Sequence, residues 1–128
     1  MESKEEILKF QAFEQKINQV QAQLNSVEEG IGELKFLEES LEELKGSKDK
    51  EILSPIGRGI FIKSKIISEE LLVDVGEKNF VKKDIDSAKE MIKKQVEKLK
   101  NIQEELNLSL EKIGEEITLE MKNSQKQN

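Results

Sequence analysis

Residues 52–67 read ILSPIGRGIFIKSKII. The stretch is rich in β-branched residues, is punctuated by Gly57 and Gly59, and carries the chain's one proline, Pro55, and its one arginine, Arg58. Apolar residues recur with a period of two: Ile60, Ile62 and Ile66 fall on one face, as strands require and helices forbid. The spacing predicts strands over 51–56 and 60–67, joined by a turn at Gly57-Arg58-Gly59. Pro55 lacks a donor for the ladder, which places it at an edge or a strand end. Two further strands are read at 71–75 and 79–83, with Leu71, Val73 and Val75 on one face and turns near Ser68-Glu69-Glu70 and Gly76-Glu77-Lys78.

Outward from this insert, the period changes on both sides. Upstream, Phe10, Phe13, Ile17, Val20, Leu24, Val27, Ile31 and Leu34 alternate by three and four, the a/d seam of a left-handed coiled coil. The next apolar residues, Leu37, Leu41 and Leu44, come one residue early, which predicts a stammer with local overwinding. Gly46 is placed to end this helix, and Gly30 and Gly32 are read as lying off the seam, a soft spot near Ile31. Downstream, Asp84 is a good N-cap. Ala88, Ile92, Val96, Leu99, Ile102, Leu106, Leu110, Ile113, Ile117 and Met121 follow it at a mean spacing closer to an eleven-residue repeat than to a heptad.

Helices of about 40 and 37 residues within 1–45 and 84–121 give rods of about 60 and 55 Å at 1.5 Å per residue. Rods of matched length joined by one compact insert satisfy their seams by folding back as an antiparallel hairpin, with a parallel intermolecular dimer as the competing arrangement. The expected fold is therefore mainly α with a small β insert: a single domain with two β-hairpins, over 46–83, at the base of a two-helix coiled coil. The polar tail 122–128 is read as disordered.

Four short strands with nothing over them leave apolar faces and unpaired edges in water. Related inserts pairing edge to edge into a closed barrel solve this, and Ile52, Ile56, Ile60, Ile62, Ile66, Leu71, Val73 and Val75 are the candidate assembly residues. The alternative is that the strands curl over the base of their own coiled coil.

Composition narrows the function. Of the 128 residues, 38% are charged and 35% hydrophobic, too few apolar side chains for a thick core. The absence of both Cys and His removes disulfides, thiolate nucleophiles, imidazole bases and nearly every structural zinc site. The net charge of −6 divides into −6 over residues 1–45, +2 over 46–83 and −2 over 84–128. A single arginine and so mild a basic excess argue against nucleic acid. No apolar run is long enough for a membrane span and the first residues, MESKEEILKF, hold no signal-peptide core, so a cytoplasmic setting is expected. Acid pairs such as Glu28-Glu29 and Glu115-Glu116 flank seam positions on solvated faces, and Gly57-Arg58-Gly59 reads as a turn rather than a phosphate cradle. No catalytic, metal or cofactor site is expected, and no enzyme.

The run EILSPIGRGIFIKSKI, followed by LLVDVGEKNFVKKDIDSAKEMIKKQVEKL, resembles the prefoldin family, and within it the archaeal-type alpha-class subunits. The resemblance spans essentially the whole chain. Its most specific elements are Pro55-Ile56-Gly57 with Gly59, Phe61-Ile62-Lys63, Val73-Asp74-Val75-Gly76 and the helix start after Lys83. Ser54 stands where the family usually has an aliphatic residue, and Lys78 where a second turn glycine is common. The resemblance implies a hetero-hexamer of two alpha-class and four beta-class subunits, a double β-barrel bearing six coiled coils. It also implies ATP-independent capture of unfolded polypeptides and their delivery to a group II chaperonin.

With chemistry excluded, function falls to surfaces. Where the chain ends meet, Ile7, Leu8, Phe10 and Phe13 face Ile117, Leu119 and Met121, the candidate client-binding residues. Phe10, Phe13, Ile117 and Met121 continue the seam, so packing competes with client contact for them. Ile7, Leu8 and Leu119 break the spacing and are expected at the surface. A structural adaptor that binds folded partners through the same architecture is the alternative function.

Overall fold

The computed structural model describes residues 3–126. Along the chain run α1 (Lys4–Glu43), β1 (Glu51–Gly57), β2 (Ile60–Lys65), β3 (Leu71–Asp74), β4 (Phe80–Lys83) and α2 (Ile85–Lys126). The chain divides into two compact units, one of Met1–Gly32 with Glu97–Asn128, the other of Glu33–Val96.

In the first unit the helices run antiparallel. Ser3 caps α1 by accepting the Glu6 amide at 3.2 Å, the S-x-x-E arrangement in which a hydroxyl satisfies an orphan donor of the first turn. Near the chain ends Lys9 pairs with Glu120 at 3.5 Å, and the Ser124 hydroxyl donates to Glu6 at 3.0 Å. The α1 seam is the one its spacing predicts: Phe10, Phe13, Ile17, Val20, Leu24 and Val27 are half-buried and Ile31 is buried. Phe10 and Phe13 meet edge to face, centroids 6.4 Å apart.

The α2 seam departs from expectation. Leu99, Gln103, Leu106, Leu110, Ile113, Ile117, Glu120 and Ser124 are the covered positions, a strict 4,3 alternation, so this stretch is a heptad and not an eleven-residue repeat. Ile102 and Met121 stand outside it, 43% and 53% exposed. Matching α1 turn for turn requires one common period, and the polar Gln103 and Glu120 take the inward places that keep it. Gly30 is likewise not off the seam. It is half-buried, and a Cβ there would lie 3.2 Å from Leu99 Cδ1, so the missing side chain makes room for the facing helix. The helix also continues through Lys126, well into the stretch read as a disordered tail; residues 127–128 lie outside the described residues.

In the second unit, the end of α1 lies antiparallel to the start of α2. Lys89 and Glu42 are ion-paired, Lys45 bridges Glu42 and Asp86 at 3.2 and 2.9 Å, and Lys93 stands 3.9 Å from Glu38. Leu41, Ile85, Ala88, Ile92 and Val96 form the buried core. The expected stammer is absent as a seam feature: Leu37 is 45% exposed, while Glu38, Leu41 and Leu44 face inward. The heptad is kept through Glu38, whose charge is met by Lys93.

Helix α1 ends as its sequence dictates. Gly46 takes φ of 76°, the left-handed conformation that favours glycine, and its amide donates to Glu69 at 2.6 Å. Asp84 caps α2 by accepting the Ser87 amide at 2.7 Å.

The strands form two separate antiparallel hairpins, β1 with β2 and β3 with β4. In the first, Ile52 pairs with Ser64, Ser54 with Ile62 and Gly57 with Ile60, with a bulge between Pro55 and Gly57. The bulge accommodates the proline, which has no N–H to give. The turn is the two residues Arg58 and Gly59, both at positive φ (48° and 80°), shorter than the three-residue turn expected. β2 ends at Lys65, yet Ile66 still exchanges hydrogen bonds with Asp49 and Lys50. In the second hairpin Val73 faces Val81 and Asp74 faces Phe80. Glu77 and Lys78 both sit at positive φ, a place where non-glycine residues are strained.

Candidate functional site

The candidate assembly residues lie where strand alternation puts them. Ile52, Ile60 and Ile62 share one face of the first hairpin and are exposed; Ile56, in the bulge, is 67% exposed, and Ile66 is half-buried. On the second hairpin Leu71 and Val73 are half-buried and Val75 is exposed. The ladder register reveals residues that a one-face reading overlooks. Leu53, Pro55 and Phe61 occupy the reverse face of the first hairpin, and Leu72 and Phe80 that of the second; of these, Leu53, Phe61, Leu72 and Phe80 are 56–67% exposed. The signal was present: apolar residues occur at both strand parities. A strand apolar on one face needs one cover, and a strand apolar on both faces needs two. Among the described residues, each hairpin also keeps its outer edges unpaired by other strands.

At the end of the first unit where the start of α1 lies against the end of α2, the candidate client residues divide. Phe10, Phe13 and Ile117 are half-buried in the seam. Ile7, Leu8 and Leu119 are 43%, 62% and 59% exposed, and Met121 joins them rather than the seam. Leu108, which the apolar spacing did not single out, is 59% exposed on α2.

The electrostatics of the second unit are those of a joint. Glu42 is held below the usual carboxylate range by hydrogen bonds first from Lys89 and then from Lys45. Lys45 is raised by Asp86 first and Glu42 second. Asp84 is lowered chiefly by the Ser87 amide it accepts. These groups are open to water, and each shift comes from a structural partner, which marks them as joint-formers rather than as acids or bases poised for chemistry. Among the described residues no group of His, Cys, Asp or Glu is arranged to hold a metal ion, and no helix is long and apolar enough to cross a membrane.

Two helices paired antiparallel within one chain, with two doubly apolar hairpins between them, define a coiled-coil protein with a β insert. Comparison with known proteins identifies which kind. The family profile for Prefoldin, described as prefoldin subunit, matches residues 13–128. The chain is 34% identical to prefoldin subunit alpha of Methanobrevibacter smithii over 79 residues, 61% of this chain and 54% of that protein. It is 35% identical to prefoldin subunit alpha of Thermococcus onnurineus over 96 residues, 69% of this chain and 65% of that protein. The match thus spans about half to two thirds of these relatives' length. A filamentous PFD from Methanocaldococcus jannaschii, solved by cryo-electron microscopy, superimposes with a TM-score of 0.80 at 19% identity, covering 89% of this chain and 96% of that one.

The chain belongs to the prefoldin family, in its alpha class. It has the antiparallel helix pairing and the two hairpins of that fold.

Proposed function

We propose that the chain is one subunit of an ATP-independent holdase, which grips non-native polypeptides at the helix ends and passes them to a group II chaperonin. The observation that carries this reading is the exposure of Ile7, Leu8, Leu119 and Met121 where the start of α1 lies against the end of α2. These are flexible aliphatic side chains left outside a seam that is otherwise filled. Such groups take up apolar segments without demanding one sequence.

Assembly supplies the avidity. Strand pairing through the hairpin edges joins this chain to beta-class companions, two alpha with four beta, in a cytoplasmic complex that presents several helix ends to one client. One end offers roughly 2–3 kcal/mol, the scale of one or two buried aliphatic side chains. Several ends acting on one flexible client multiply through effective concentration.

The test is aggregation of unrelated denatured proteins followed by light scattering. The assembled protein suppresses it broadly. The triple change Ile7→Ser, Leu8→Ser and Leu119→Ser abolishes suppression while native mass stays unchanged. Indifference of the unaltered complex to every denatured client would overturn the reading and leave an adaptor for folded partners.

A further inference from the structure

On α1, in the second unit, Phe36 is 71% exposed. Its position is directly opposite the seam residues Leu34, Glu38 and Leu41, so no packing within the helix pair accounts for it. Leu37 beside it is 45% exposed. The positions that share the outward face with Phe36 are Glu33, Glu39, Ser40 and Glu43. Ser40 turns its hydroxyl back onto the Phe36 carbonyl at 3.0 Å, leaving a small, satisfied neighbour beside the ring. None of the three glutamates is ion-paired among the described residues, and no lysine shares the face. An aromatic knob whose charged neighbours on its own face are all acids is a poor match for water and a poor match for another copy of itself.

The same unit carries a surface of the opposite kind. The reverse face of the first hairpin presents Leu53, Pro55 and Phe61, continued along β2 by Lys63 and Lys65, with one carboxylate, Glu51, across the ladder from Lys65. Both lysines are exposed and neither is ion-paired among the described residues. Phe61 is 56% exposed, so one chain's helix knob and hairpin face do not cover each other. Their dimensions agree. Glu39 and Glu43, four residues apart on a helix, are separated by about 6 Å along its axis; Lys63 and Lys65, two apart on a strand, by about 6.6 Å.

We propose that the outward face of α1 around Phe36 docks the reverse face of the first hairpin of a second copy of this chain, apolar ring to apolar strand and glutamate to lysine. This contact is separate from strand-edge pairing, because it uses a face of the hairpin and leaves its edges free. It gives the helix a part in subunit association, with a polarity fixed by charge.

The absence of cysteine is no obstacle, since the native groups can be cross-linked directly. Equal amounts of isotopically light and heavy chain are mixed, treated with a zero-length carbodiimide that joins lysine amines to carboxylates, and digested for mass spectrometry. The expected products are mixed-isotope peptides joining Lys63 or Lys65 to Glu33, Glu39 or Glu43. Their absence, or their occurrence only within chains of one isotope, overturns the proposal. In a second arm, Glu39→Lys with Glu43→Lys weakens self-association at least tenfold by sedimentation, and adding Lys63→Glu with Lys65→Glu restores it. A double reversal that leaves association unchanged, or a quadruple change that fails to restore it in a chain whose circular dichroism is unaltered, also overturns it.

Discussion

Ile92 and Ile60 are the same residue with opposite fates: the first is 2% exposed between the helices, the second 60% exposed on a hairpin. The contrast extends to the regions they belong to. The helix pair closes on itself, its apolar positions met by facing residues of the same chain and its polar intruders met by partners such as Lys93 for Glu38. The hairpins are covered far less: two strands each, apolar on both faces, with only Ile66, Leu71 and Val73 of their large apolar residues half-buried and their outer edges unpaired by other described strands. One region derives its stability internally; the other, on the assembly proposed above, draws it from association. An isolated two-stranded hairpin is marginal in water, and on the proposed assembly its apolar content serves association rather than the fold of the single chain.

The sharpest way to break this comparison is to damage both sides equally. Ile92→Ala removes buried methylenes and should destabilise the lone chain by about 2–5 kcal/mol in chemical denaturation. Ile60→Ser should alter the lone chain by no more than about 0.5 kcal/mol, the range of a surface change, while lowering the native mass of the assembly. If both changes unfold the lone chain alike, the hairpins belong to its core and the division fails.

Within the helix pair, the glycines sharpen the picture. A Cβ at Gly32 meets nothing within 4 Å, whereas one at Gly30 meets Leu99 at 3.2 Å. Gly32→Ala should therefore gain about 1 kcal/mol, the helix-propensity difference between the two residues. Gly30→Ala should gain less or nothing, because Leu99 must shift to admit it. Thermal melts of the two variants, side by side, read the difference.

These particulars show what the sequence made legible. The 3,4 spacing in α1 marked a helix with a partner, and the glycine-broken alternation after it marked hairpins; both are patterns of residue type, and residue type was on the page. What escaped were the positions where geometry overrides type. Gln103, Glu120 and Glu38 face inward because two helices in register share one period, and a reading that steps from one apolar residue to the next slides onto Ile102, Met121 and Leu37 instead. A strict heptad count from Phe10 would have reached Glu38 and would have put Phe36 outside. The helix-end candidates were legible in part: off-seam spacing marked Ile7, Leu8 and Leu119, and the same slide of register misplaced Met121.

Between the two hairpins the turns differ as the sequence does. The first closes on Arg58-Gly59, with glycine at one of its two positive-φ positions, the second on Glu77-Lys78 with none. Lys78→Gly should remove strain of about 1 kcal/mol, less the entropy glycine returns to the unfolded chain. The net gain, a few tenths of a kcal/mol, would appear as slower amide exchange in β3 and β4 and no change in β1 and β2. Equal slowing in both hairpins would mean that the two are coupled and not independent.

The smallest effect expected is that of pH on the joint of the second unit, where direction matters more than size. Glu42 titrates below its ordinary 4.5 in the folded chain because Lys89 and Lys45 hydrogen-bond its charged form, and Asp84 below its ordinary 3.8 because the Ser87 amide does the same. As pH falls the unfolded chain takes up these protons first. The stabilisation is therefore complete above those ordinary values and is lost as pH drops through the lower folded ones. Lys45 is raised above 10.5, so its contribution is complete below that value and is lost as pH climbs through the folded one. Stability should form a plateau between the two limbs. Glu42→Gln should flatten the acid limb while leaving most of the alkaline one, because Asp86 remains as the larger cause of the Lys45 shift. Asp84→Asn should flatten the acid limb without loss at neutral pH, since asparagine caps a helix as well as aspartate. Denaturation midpoints across pH 2 to 12 measure both limbs, and an acid limb unchanged in the two variants would show that this joint is not its origin.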